Sequence, residues 1–170
     1  LSKYPIINEG SIDFPTRSNN NAIYADIVVG KDTVRVFNVH FQSYSLKPRF
    51  ENLEQEHSKR VFLGMSNTFV KQQEQMEMVL EVVRESPYRN IIMGDFNNTA
   101  YSYVYREIRA QGFNDAFKEE GNGFGRSFDF DYFPLRIDYI MPDKSFEILT
   151  FETKEVHYSD HFPIMSNVKL

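Results

Sequence analysis

Asn90-Ile91-Ile92-Met93-Gly94-Asp95-Phe96-Asn97 is the stretch on which the reading of this chain turns. Its first half is a short apolar run, the pattern of a strand buried on both faces. Its second half sets an Asp and an Asn two apart on a chain leaving that strand, so both side chains can point toward one cavity. Asp95 offers a hard anionic oxygen for Mg²⁺ or an acceptor for water, and Asn97 offers both a carbonyl and an amide donor. Gly, Asp and Asn also favour plain strand-to-helix turns, so this stretch alone leaves both readings open.

Outward from it, the local patterns alternate between strand and helix. Asn21 to Val29 and Thr33 to Phe41 are rich in Ile, Val and Phe around Gly30-Lys31-Asp32, and read as a hairpin. Ser66 to Glu85 carries Phe69, Val70, Met76, Val79, Leu80 and Val83 at helical spacing, and Ser86-Pro87 stops it. Ser102 to Ala110 is a second helix with Gly112 as its C-terminal cap, and strands follow at about 135 to 141, 146 to 151 and 162 to 168. Residues 45 to 65 form a charged, partly helical insertion; through it and just beyond it Lys47, Arg49, Lys59, Arg60 and Lys71 interleave with Glu51, Glu54, Glu56 and Glu74. Such mixed charge is a solvated face, not a nucleic-acid patch. The order ββ, α, β, α, βββ predicts helices flanking a mixed or two-sheet core.

Three more stretches carry chemistry. Asn38, His40 and Gln42 share one face at the end of the second hairpin strand. In Arg136-Ile137-Asp138-Tyr139-Ile140, alternation puts Arg136, Asp138 and Ile140 on one face, and a buried-face Asp needs a partner: Arg136 or a histidine from another strand. Ser159-Asp160-His161-Phe162-Pro163 sets a carboxylate beside an imidazole just before the last strand. His157 and His161 have the His-x-x-x-His spacing of a zinc helix, but Val156 and Pro163 indicate extended chain; His157 and His57 read as ordinary histidines.

Composition bounds the rest. The 170 residues are 41% hydrophobic and 25% charged, with 16 Phe and 10 Tyr, enough for one domain with a large β-rich core. The net charge of −5 gives no bulk attraction for polyanions, so any phosphate-bearing substrate must be drawn by a local site or a metal ion. The absence of cysteine excludes disulfides, thiolate metal sites and a Cys nucleophile. No run approaches the length of apolar residues a membrane span requires. The opening Leu1-Ser2-Lys3-Tyr4-Pro5-Ile6 reads as the middle of a strand, with Asn8-Glu9 in a turn after it.

Together, His40, Gly-Asp-Phe-Asn (Asp95, Asn97), Arg-Ile-Asp-Tyr-Ile (Asp138) and Ser-Asp-His (Asp160, His161), in that order, resemble the endonuclease/exonuclease/phosphatase superfamily with its deoxyribonuclease I-like fold. The resemblance covers residues 1 to 170 apart from the insertion, and implies a four-layer α/β sandwich of two β-sheets flanked by helices. It implies hydrolysis of phosphodiester or phosphomonoester bonds with Mg²⁺ or Mn²⁺. His40 and His161 would flank the scissile phosphate, Asp138 would orient His161, and Asp95 would position or deprotonate the attacking water. Asn97 would hold a phosphate oxygen, and Asp160, with Asp95, would bind the metal.

The family's N-terminal Asn and metal-binding Glu have no counterpart before His40, which implies that the chain is the C-terminal two-thirds of the domain. Such a piece is expected to be inactive alone and to self-associate through uncovered core. Bacterial relatives that carry the domain behind transmembrane helices leave a membrane-anchored parent open. Nuclease, sphingomyelinase-like and inositol-phosphate phosphatase activities share these residues, so the substrate class (nucleic acid, phospholipid or small molecule) stays open. The acidic charge argues against tight duplex-DNA binding. The alternative is a non-catalytic interaction module that keeps the fold; the intact His and Asp set favours the enzyme.

Overall fold

The computed structural model describes residues 1–15, 19–44, 55–130 and 134–170, with the backbone alone for 55–62. A five-stranded sheet runs in the order β1 (Ile6–Ile12), β2 (Asn21–Val29), β3 (Asp32–His40), β4 (Arg89–Asp95), β5 (Asp138–Pro142). All neighbours pair antiparallel except β3 and β4, which are parallel. A parallel pair needs a crossover, and α1 (Gln55–Arg84) lies within it. After β4 come α2 (Tyr103–Ala110) and α3 (Ala116–Glu120), and β6 (Glu147–Thr153) pairs with β7 (Ile164–Lys169) as a second sheet. These layers are those of the α/β, deoxyribonuclease I-like sandwich.

The β2–β3 hairpin closes through the two residues between Val29 and Asp32, and Gly30 has φ 65, the positive value a two-residue loop needs. Side-chain alternation then gives the sheet two unlike faces. One face carries Phe37, Val39, Ile92, Tyr139 and Met141 into a core with Met76, Val79, Leu80 and Val83 of α1 and Val104 and Ile108 of α2. Ser102 caps α2 by accepting a hydrogen bond from the Tyr105 amide at 3.2 Å, and Gly112 follows its C-terminus with φ 92. The opposite face carries His40, Asp95 and Asp138 at one end.

Several boundaries differ from the sequence reading. The helix expected from Ser66 begins at Gln55, so 55–65, read as part of a charged and partly helical insertion, forms its first turns; 45–54 lies outside the described residues. Charged residues that alternate in sign propagate a helix as well as apolar ones do. Its buried stripe runs through Thr68, Gln72, Gln75, Met76, Val79 and Leu80, while Phe69 and Val70 are exposed. The opening Leu1–Pro5 is not in a strand, and Asn8 and Glu9 sit not in a turn but within β1, paired with Asp26 and Ala25. Pairing with β2 overrides the turn preference of Asn-Glu-Gly. The strand expected from about 135 begins at Asp138, and the short helix α3 carried no apolar period to announce it. Among the described residues no helix is long and apolar enough to cross a membrane.

Candidate active site

Three neighbouring strands deliver three side chains to one row. His40 at the end of β3 is the register partner of Asp95 at the end of β4, and Asp95 is the partner of Asp138 at the start of β5. Direct partners point to the same face, so the row is a consequence of register alone. Gly94 permits it: its φ is 128, and a Cβ there would lie 2.1 Å from the Val39 carbonyl oxygen. Only glycine lets β4 pass β3 this closely while aiming Asp95 into the row.

His161 enters from the segment before β7, bridged to Phe128, with their rings edge to face at 4.9 Å. Its Nδ1 lies 2.9 Å from Asp138 Oδ2. An ionised carboxylate can only accept, so Nδ1 carries the proton and donates it. Its Nε2 then faces Asp95 Oδ2 at 4.0 Å, and His40 Nε2 lies 3.6 Å from the same oxygen. Asp95 is thus flanked by two imidazoles, and its other oxygen accepts the Asn97 amide at 2.7 Å.

The charges follow from this geometry. Burial pushes the Asp95 carboxyl up to about 6, reinforced by the charge of Asp138 and opposed by the Asn97 amide and the two histidines. His161 is held above the ordinary imidazole value, first by its hydrogen bond to Asp138, against the cost of its burial. One group is therefore a carboxylate poised to take a proton near neutrality, and its neighbour an imidazole biased toward imidazolium. Asp95, Asp138 and His161 also place one ligand atom each within 4.8 Å of the others, a candidate cation group among the described residues.

Other expected residues sit differently. Asp160 is exposed and accepts from the Ser159 hydroxyl at 3.2 Å; with His161 turned inward its neighbour turns out, and Asp160 is not in the group that contains Asp95. Asn97, at φ 49, spends its side-chain amide on the Phe41 carbonyl at 2.9 Å and Ser43 Oγ at 3.1 Å, tying the loop after β4 to the end of β3 instead of presenting a free donor. Arg136 does not share the face of Asp138. It lies before the strand begins, stacks on Tyr139 and Phe117 at 4.5 and 4.6 Å, and pairs with fully buried Asp115 at 2.9 Å. His157 is exposed, 3.6 Å from Asp129. The side chain of His57 lies outside the described residues.

Two groups at the site carried no sequence signal. Ser43 Oγ lies 3.4 Å from His40 Nε2 and accepts from Asn97, and a lone serine after a strand is indistinguishable from any loop serine. Gln72, on α1, bonds the loop after β4, and in a helical stripe it reads as a polar interruption.

The profile of the Endonuclease/Exonuclease/phosphatase family matches residues 1–161. The chain belongs to that family. Solved members and neighbours share the fold at low identity. A Beutenbergia cavernae DSM 12333 endonuclease/exonuclease/phosphatase superposes with a TM-score of 0.75 at 17% identity, covering 99% of this chain and 46% of its own. TDP2 of D. rerio, humanized by 14 mutations, gives 0.67 at 17%, covering 97% and 67%. The mannosyl-6-phosphatase of Bacteroides thetaiotaomicron VPI-5482 gives 0.64 at 17%, covering 98% and 67%. The chain therefore spans about half to two-thirds of the length of these structures. No curated protein sequence matches it.

Proposed function

We propose that this endonuclease/exonuclease/phosphatase family chain is the catalytic part of a divalent-metal-dependent phosphoesterase that delivers an activated water to a phosphate ester. The carrying observation is the alignment of His40, Asp95 and Asp138 in one row, closed by the 2.9 Å contact of His161 with Asp138. In this reading residues 1–170 work as one domain.

Asp95 takes the proton of the attacking water, as its raised value suits. Asp138 holds His161 in the tautomer that leaves Nε2 toward the phosphate and stabilises its imidazolium, which faces the charge developing on the phosphoryl oxygens. His40 flanks the phosphate on the opposite side of Asp95. Asn97 reaches a phosphate oxygen only by giving up its bond to Ser43, so its first task is to hold the Asp95 loop.

The donor set suits a hard cation: two carboxylates converge in a half-buried place where burial first, and then their mutual repulsion, raises Asp95. Mg²⁺ or Mn²⁺ would be held by Asp95 and Asp138, with exposed Asp160 outside their group, and would fit a preference for one or two carboxylates plus water. Bound there, such an ion would neutralise charge on the phosphate oxygens. The formal charge of −5 disfavours tight duplex-DNA binding, and the substrate is a phosphate ester of a nucleic acid, a phospholipid or a small molecule.

Asp95→Ala, Asp138→Ala and His161→Ala in the full chain are each expected to lower Mg²⁺-dependent hydrolysis of a chromogenic phosphodiester or phosphomonoester by roughly 10²-fold or more. His157→Ala should leave it unchanged. Turnover near wild type in Asp95→Ala would remove the mechanism.

A further inference from the structure

We propose that Gln72 is a positioning residue: from the buried face of α1 it fixes, through one side-chain amide, both loops that carry the site. The proposal rests on the reading of His40, Asp95 and Asn97 given above. Gln72 is fully buried, and its Nε2 donates to the Gln42 carbonyl at 2.8 Å and lies 3.3 and 3.4 Å from the carbonyls of Asn97 and Phe96. Its Oε1 accepts from the Asn98 side chain at 2.8 Å. One turn earlier or later on the same face, only Gln75 does anything similar: its Oε1 accepts the Gln42 amide at 2.7 Å. The Gln42 peptide, two residues beyond His40, is therefore gripped at both its N–H and its C=O, and the Phe96–Asn98 segment that follows Asp95 is held to the same helix.

The chemistry explains why amides stand at 72 and 75 when the stripe continues as Met76, Val79 and Leu80. One residue past the ends of β3 and β4 the ladder stops, and half-buried backbone carbonyls there need donors. A glutamine alone supplies donor and acceptor together on an uncharged arm long enough to reach from a helix. Stability is not what such an arrangement maximises. Gln75 Nε2 and Gln42 Oε1 are buried without partners, a cost an apolar pair at these positions would avoid. What it secures is geometry. Asn97 holds a left-handed φ of 49, and its amide is the donor to Asp95 Oδ1. Loosening its carbonyl end frees that donor and with it the aim of the carboxylate.

The test compares Gln72→Met, which keeps length and burial but removes both hydrogen-bonding ends, with Leu80→Ala, a core truncation on the same helix remote from the loops. In the full chain with Mg²⁺, Gln72→Met should lower kcat roughly tenfold or more with KM within about threefold, since a displacement near 1 Å is enough for such a loss. Backbone hydrogen exchange, read without metal or substrate, should speed up at Asn97 and Gln42 and stay unchanged in β1. Leu80→Ala should lower Tm and leave kcat at wild-type level below the transition. Should Gln72→Met not fold, Asn98→Ser releases the same glutamine from the loop side and must give the same local gain in exchange. Wild-type exchange at Asn97 in a folded variant, or an equal kcat loss in Leu80→Ala, overturns the proposal. A wild-type full-length protein without hydrolytic activity would count against the phosphoesterase reading instead, while exchange at Asn97 still decides the role of Gln72.

Discussion

Asp95→Asn should stabilise this protein at alkaline pH. The substitution keeps the Oδ1 acceptor for the Asn97 amide and removes only the charge. Asp95 is raised from 3.8 to about 6 in the folded state, chiefly by burial. The folded value lies above the unfolded one, so between about pH 4 and pH 6 the folded protein binds more protons than the unfolded chain, and stability falls as pH rises through that window. Above it the ionised carboxylate costs the fold up to about 3 kcal/mol, from roughly two pK units at about 1.4 kcal/mol each. For a chain of this length that is roughly 6–12 °C in Tm. Thermal melts of wild type and Asp95→Asn in EDTA at pH 8 and pH 4.5 measure it. The variant should gain at pH 8, and the gain should shrink toward zero at pH 4.5. Added Mg²⁺ should raise the Tm of wild type and barely move the variant. A loss of stability at pH 8, or a gain independent of pH, would show that burial does not set the state of Asp95.

Further outcomes are expected. Asp138→Asn should lower the His161 pKa in an NMR titration, because its hydrogen bond to Asp138 is the main cause of the rise. The stability that this bond lends to the imidazolium is present below about pH 6.5 and lost as pH rises through the folded His161 value, so the variant's deficit should be largest in acid. Gly94→Ala should destabilise by roughly 3 kcal/mol or more or fail to fold, read by urea denaturation, since its Cβ would meet the Val39 carbonyl at 2.1 Å. The 170-residue chain by itself should self-associate in light scattering, because Ile6, Ile7 and Ile23 on the first sheet and Met165 on the second stand exposed; a monodisperse monomer would contradict this.

The motifs were legible because each had a reason to be local. An apolar run ending in Gly-Asp-Phe-Asn reads as a strand leaving its sheet, and a carboxylate on an apolar strand announced a partner, which the structure supplies as His161. What sequence hid was mostly non-local. Arg136 was assigned by alternation to a strand that starts two residues later, and it answers instead to Asp115, a pairing no period reveals. Asn8 and Glu9 were placed by turn propensity, whereas β2 recruits them into an edge strand. The exposure of Asp160 follows from which way one bend turns, and the service of Ser43 and Gln72 depends on loops brought together from distant parts of the chain.

The single row formed by His40, Asp95 and Asp138 has a kinetic corollary. A slip of one residue between β3 and β4 would turn the Asp95 carboxylate toward the helices, and a slip of two would carry it out of reach of His40 by roughly 7 Å. The parallel pairing that prevents both spans the whole crossover, so it is expected to close late among the contacts of the chain. During refolding, secondary structure and even compaction can be complete while the carboxylate still stands in the wrong register. Recovery of turnover would therefore serve as a clock for the last pairing step, running behind every spectroscopic measure of the fold.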